Sequence, residues 1–292
     1  MPFENPEEEE FADFNELVTQ LESRSYRERV RLLSRARVPI SRFRYKFCSL
    51  DDKRVNYLRD ILVRSRLWLS SPDDFNDPFD MSAKMLFDGT IKEKRQRINE
   101  NLKRNGFNWN QRKKLIPEIL RKGTEGHDRI VQRGHVDTVT STGVCCFAGD
   151  PLNILMWSHH TTNHRGLCLQ FDVAKDPNTF LRAVTMKFSE EYPLIRYVTG
   201  FPEGLLVALE RKHIGWQYEK ETRIVMPEHA HQYLSFRPDA LVGIIIGCRA
   251  TEAEDTIVRE LLTERSAQSY PTPKLYQACK HPTKYRLILK KK

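Results

Sequence analysis

The sequence lacks the glycine patterns that announce common nucleotide and acyl-transfer chemistry. It has no G-x-G-x-x-G, no G-x-x-x-x-G-K-[ST] and no G-x-S-x-G, so a dinucleotide-binding turn, a P-loop and a hydrolase nucleophile elbow lose support. It also lacks any C-x-x-C pair. The six cysteines, Cys48, Cys145, Cys146, Cys168, Cys248 and Cys279, fall mostly in apolar, strand-like contexts. That setting favours reduced, buried thiols over a structural zinc site or a secreted disulfide framework. No apolar stretch approaches the roughly 20 residues of a membrane span. The acidic run Glu7 to Glu10 stands where a basic and apolar leader would be read. The expectation is a cytoplasmic protein without a membrane partner.

What is present is enough apolar residue to build a core. The chain has 292 residues, 39% hydrophobic and 30% charged, well away from the composition of disordered chains. A formal net charge of +9 favours anionic partners: nucleic acid, phosphorylated nucleotides or acidic protein faces.

Residues 1–40 read as a helical amino-terminal extension, with an acidic start, a basic helical stretch from Tyr26 to Arg37, and Pro39 to close it. Residues 41–292 read as one domain. Phe43 to Cys48 alternates aromatic and basic residues as a half-buried strand does, a helix carries Val55, Leu58, Ile61 and Leu62 on one face, and Leu67 to Ser71 forms a second strand. Asp73 to Asp80 is dense in Asn, Asp and Pro and predicts successive turns. At about 92–132 lies a charged helical insertion bearing Lys94, Arg95, Arg97, Lys103, Arg104, Arg112, Lys113 and Lys114. It is the candidate positive surface for a nucleic-acid or protein partner, or simply a solvated face. The second half is strand-rich: Gly143 to Phe147, Gly166 to Phe171, Ala183 to Phe188, Thr222 to Met226, Leu241 to Ile246 and Tyr285 to Leu289, with helices at Pro202 to Lys212 and Glu252 to Glu264. Irregular interspersion of strands and helices predicts an α+β fold, with a central, mostly antiparallel sheet and flanking helices.

Two polar concentrations carry the candidate chemistry. In Met156-Trp157-Ser158-His159-His160, followed by His164, three histidines are near one another, but the spacing supports no common metal motif. Trp157 can wall a ligand pocket with Ser158 and His159 as polar groups; alternatively Trp157 is core and the histidines cap a loop. In Trp216 to Ile224, Glu219 and Glu221 sit at i and i+2, and an extended backbone would put both on one sheet face, each raising the other's proton affinity. Arg223 shares that face and can hold a carboxylate by paired hydrogen bonds. A surface strand with cross-strand ion pairs explains the same pattern.

The blocks Tyr45-Lys46-Phe47, Leu67 to Pro72 with Phe75 to Asp80, Asn153 to His159, Gly166 to Asp172, and Tyr218 to Arg223 together resemble, in this order, the family known as domain of unknown function 2971. A looser likeness is to the ADP-ribosyltransferase fold, including its toxin and phage-defence branches. That resemblance implies a split sheet enclosing a NAD-binding cleft, with Glu221 or Glu219 stabilising the oxocarbenium-like transition state, Ser70 as the central hydroxyl, and Tyr45 or Lys46 as the first-strand group. Trp157, Ser158, His159, Tyr218 and Arg223 complete the expected cofactor-binding set. Such enzymes usually carry Arg or His on the first strand, where this chain has Tyr45 and Lys46 beside Arg44. Two alternatives stand beside a NAD-consuming transferase. One is a non-catalytic nucleic-acid or protein binding module using Trp157 and Tyr218; the other is a nuclease whose metal would sit among Asp73, Asp74, Asp77 and Asp80.

Overall fold

Two amphipathic helices, α1 (Phe14–Glu22) and α2 (Tyr26–Arg35), lead into β1 (Phe43–Cys48), α3 (Val55–Leu62) and β2 (Arg66–Leu69). A turn-rich stretch precedes β3 (Lys84–Leu86), α4 (Ile91–Arg104), α5 (Trp109–Leu120) and α6 (Gly123–Ser141). Next come β4 (Gly143–Phe147), α7 (Ile154–His160), β5 (Leu167–Asp172), α8 (Pro177–Phe180), β6 (Ala183–Thr185), β7 (Lys187–Ser189) and β8 (Leu194–Arg196). The chain continues through α9 (Glu203–Leu209), β9 (Arg211–His213), β10 (Thr222–Met226), β11 (Gln232–Ser235), β12 (Leu241–Ile246), α10 (Glu252–Ala267), β13 (Lys274–Lys280) and β14 (Leu287–Lys291). The computed structural model describes residues 14–35, 41–51, 54–200 and 203–292. The acidic run at Glu7 to Glu10, Pro39 and Pro202 lie outside the described residues.

The fold is α+β with a mixed, mostly antiparallel sheet arrangement. Five strands form the main sheet in the order β1-β5-β12-β13-β14, and β10 is flanked by β4 and β6. Differences from the sequence reading are local. The single strand expected over Ala183 to Phe188 is two short ones: β6 pairs with β10 and β7 pairs in parallel with β9. The chain changes sheets at Met186, whose N–H donates to the Glu221 carbonyl. The helix expected to reach Lys212 ends at Leu209, because Arg211–His213 pairs as a strand. The segment around Trp157, where a loop capped by the histidines was one expectation, is the helix α7, started by the Asn153 side chain accepting from Leu155 and Met156 N–H groups.

The main core lies between these sheets and α3, α10 and the two amino-terminal helices, which contribute the buried Leu21 and Leu33. At its centre Phe171 packs against Phe147, Phe180 and Phe236 with ring centroids 5.1 to 6.0 Å apart. Arg265 is fully buried with no carboxylate partner among the described residues, yet it is satisfied: its guanidinium donates to the carbonyls of Leu62, Pro238 and Pro271 and so ties α10 to the end of α3. The helices α4 to α6 form a separate small core with β3 and β8, built on Met85, Phe87, Ile98, Val131 and Ile195.

The turn between α4 and α5 needs a glycine. Gly106 has φ +81°; its N–H bonds to the Lys103 carbonyl and the Phe107 N–H to the Leu102 carbonyl, the paired bonds of a Schellman ending. A Cβ there would meet nothing within 4 Å, so the cost of Gly106→Ala is backbone strain alone. We expect a loss of about 1 kcal/mol, measurable as a lowered urea midpoint with unchanged slope.

Candidate active site

The site is a fork in the sheet. Along the outer edge of β4, Val144 exchanges backbone hydrogen bonds with Ser70, and Ala148 exchanges them with Tyr45. Both β1 and the end of β2 therefore land on one strand edge and diverge from it. Between the two landings the Cys146 carbonyl has no strand opposite; the Lys46 ammonium fills the gap and donates to it at 3.3 Å. A cleft of about 770 Å³ opens in the fork, a size typical of small-molecule sites. Its lining includes Tyr45, Lys46, Ser70, His159, Glu219 and Glu221, drawn from β1, the end of β2, α7 and the segment before β10.

Its floor is a buried charge network. Arg223, with no exposed surface, forks onto two carboxylates: it donates to Glu221 at 2.6 and 3.1 Å and to Asp80 at 2.8 and 2.5 Å. The Lys212 ammonium bridges Glu219 and Glu221, lying 2.6 Å from the first and 2.9 Å from the second, and stands 3.8 Å from Asp80. Glu219 also accepts from His160 Nε2 at 3.2 Å. Burial by itself would raise the Glu221 carboxyl, but the Arg223 and Lys212 charges outweigh it and hold that group well below the usual carboxylate range. The same attractions raise Lys212 against the burial that would lower it. Three carboxylates and two cations leave one formal negative charge when His160 is neutral.

This arrangement corrects the expectation for the two glutamates. They do not lie at i and i+2 of an extended strand: Ile214–Glu219 is a 3₁₀ turn and Lys220 is left-handed at φ +46°. They meet nonetheless, because the kink turns both carboxylates toward Lys212. With a cation between them, Glu221 is stabilised as an anion rather than made more basic by its neighbour.

Most of the expected residues gather at the cleft, but three do not. Trp157 is fully buried, donates from Nε1 to the Pro151 carbonyl at 2.7 Å, and packs edge-on against Phe47 at 5.2 Å. It is core rather than a ligand wall, because helix α7 turns its indole toward β1 and β5. Ser158, half-buried on that helix, is likewise off the cleft wall. Tyr218 is also outside the cleft lining, and its hydroxyl is hydrogen-bonded to Nδ1 of the lining residue His159 at 2.9 Å. Asp80 and Lys212 are members that sequence reasoning did not place with the glutamates. Asp80 stood in view in the Phe75 to Asp80 block, read as a turn; Lys212 gave no signal beyond a basic residue at a helix end. The four aspartates of the nuclease reading have separate partners instead. Asp73 accepts from Thr140, Asp74 pairs with His231, Asp77 accepts from the Phe79 N–H, and Asp80 pairs with Arg223.

Gly149 permits the close approach that seats the glutamates. Its N–H donates to the Glu219 carbonyl at 3.2 Å, and a Cβ there would lie 2.8 Å from Lys220 Cβ and 2.9 Å from its carbonyl oxygen. Gly149→Ala must push Lys220 away and drag both carboxylates with it. A loss of about 1–3 kcal/mol is expected, which thermal unfolding checks. No protein-family model matches the chain, and neither a curated protein nor a solved structure matches it.

Proposed function

We propose that the cleft takes NAD as a substrate and that the chain releases nicotinamide and transfers ADP-ribose to a nucleophile. The observation that carries this reading is the convergence of Tyr45, Lys46, Ser70, Glu219 and Glu221 on one cleft from three separate segments. The residues suit the two ends of such a molecule. Lys46 and Arg54 offer cations for the diphosphate, and the rings of Tyr45, Tyr57 and Trp68 offer flat walls. At the other end Glu219 and Glu221 supply net negative charge where a ribosyl cation would develop. In the reaction the bond between the nicotinamide nitrogen and ribose C1′ breaks and its electron pair leaves with nicotinamide. The acceptor, water or a group on a macromolecule, bonds to C1′ and gives up a proton. Lys212 and Arg223 hold the carboxylates in place, so little reorganisation accompanies the developing charge. The looser likeness of the first strand, the Ser70-bearing strand end and the Glu219 to Glu221 segment to the ADP-ribosyltransferase fold is in keeping with the same reading.

The test is nicotinamide release from NAD by the intact chain, with Lys46→Met and Ser70→Ala as cleft variants. We expect release by the parent chain, a raised KM in Lys46→Met and a lowered kcat in Ser70→Ala. NAD that neither binds nor turns over would sink the proposal. Binding without turnover would instead make the cleft a nucleotide sensor.

A further inference from the structure

The charge of this chain is not evenly spread. Residues 91–141, which span α4 to α6, hold thirteen Lys and Arg against six Asp and Glu, so seven of the nine net positive charges lie in the helical insertion. Within it, residues 101–117 contain Lys103, Arg104, Arg112, Lys113 and Lys114 and no acid at all. The insertion's ion pairs among the described residues are Arg97–Glu100 and Arg129–Glu125; none of those five cations takes part in one. Folding therefore leaves the positive field of this turn uncompensated.

The same turn exposes aromatic rings. Trp109 is 63% exposed and Phe107 38%, although α4 to α6 already have an apolar core of their own, to which Ile116, Ile119 and Leu120 of α5 contribute. The turn is not a loose loop. The Gly106 ending described above closes α4, and Asn108 caps α5 in a reciprocal pair with Gln111. Lys113 Nζ lies over the Trp109 ring, 5.1 Å from its centroid, so a cation covers one face of an indole that is still mostly exposed.

We propose that the tip of the α4–α5 hairpin is a docking surface for single-stranded nucleic acid, with phosphates on Lys103, Arg104, Lys113 and Lys114 and an unpaired base on Trp109. Charge complementarity selects a polyanion. The exposed indole selects single strands, because a base within a duplex offers no free face to it. The surface is distinct from the cleft, so the inference stands whether or not the cleft consumes NAD. Were both correct, the insertion would bring a nucleic-acid acceptor to the enzyme.

The experiment uses the full chain without NAD and fluorescence anisotropy of labelled 20-nucleotide dT and U strands, a matched duplex, and vesicles of anionic phospholipid. Binding to the strands should fall with salt, with a log–log slope of about −3 for four phosphate contacts. Lys113→Glu combined with Lys114→Glu should weaken it at least tenfold and flatten the slope by about 1.4. Trp109→Ala should weaken it about tenfold while leaving the slope unchanged, since stacking is not a charge effect. These side chains are exposed, and circular dichroism will verify that the helices persist. Equal affinity for the duplex, tighter binding to the vesicles, or strand binding indifferent to Trp109→Ala would each overturn the proposal.

Discussion

Glu219→Gln is expected to slow nicotinamide release by about 10²–10³-fold with little change in the binding of NAD, the cost of removing one preorganised charge from a transition state. Glu219 is the informative position because its oxygens each have one partner, His160 and Lys212, and so retain the capacity to accept from a ribose hydroxyl. Glu221 is more heavily engaged: Arg223 holds both its oxygens and Lys212 one of them. Glu221→Gln should also abolish turnover, but it breaks the Arg223 pair as well. Unfolding midpoints therefore separate the two effects: Glu219→Gln should unfold close to the parent, Glu221→Gln well below it. Turnover measured with stopped assays on both variants decides the matter, and full activity in both would remove the carboxylates from the chemistry.

Arg223→Met should be the most destabilising single change in the site. The guanidinium is wholly buried and is shared by Asp80 and Glu221; removing it strands two carboxylates beside a single Lys212. Breaking a buried pair in this way costs about 3–5 kcal/mol. The pH dependence carries a sign. The Glu221 carboxyl is held below its ordinary value near 4.5, so its pairing contributes stability that is present above that value and is lost as pH falls through the lower, folded one. The parent should thus lose urea resistance on acidification below about pH 4.5. In Arg223→Met the stranded carboxylates take up protons more readily when folded than when unfolded, so stability should rise as pH drops from 7 toward 5. A parallel pH profile for both chains would show that Arg223 and Glu221 are not energetically coupled.

Much of the site was legible because strands advertise themselves. Alternation in Phe43 to Cys48 placed Tyr45 and Lys46 on β1 at their true positions, and the apolar runs at Leu67 to Leu69, Gly143 to Phe147 and Thr222 to Met226 marked the strands that meet at the fork. Of the two readings the sequence left open for Trp157, a pocket wall and a core residue, the structure shows the second, because Asn153 starts a helix there. Helical periodicity, not the residue type, sends the indole inward. The Glu219 and Glu221 pair was found for a geometric reason that proved wrong, since a left-handed Lys220, not strand alternation, brings them together.

By itself the sequence determined the class of fold, the strand and helix identities with strong periodicity, and the concentration of positive charge in the helical insertion, because these depend on local spacing and composition. Only the tertiary structure decided that Asp80, Lys212 and Arg223 share one buried network, and that Lys46 sits in the gap where two strands part. Asp80 and Arg223 are 143 residues apart along the chain, and charge pairing at that separation leaves no local pattern. It exists once the sheet has closed around it, where low dielectric makes each partner necessary to the others.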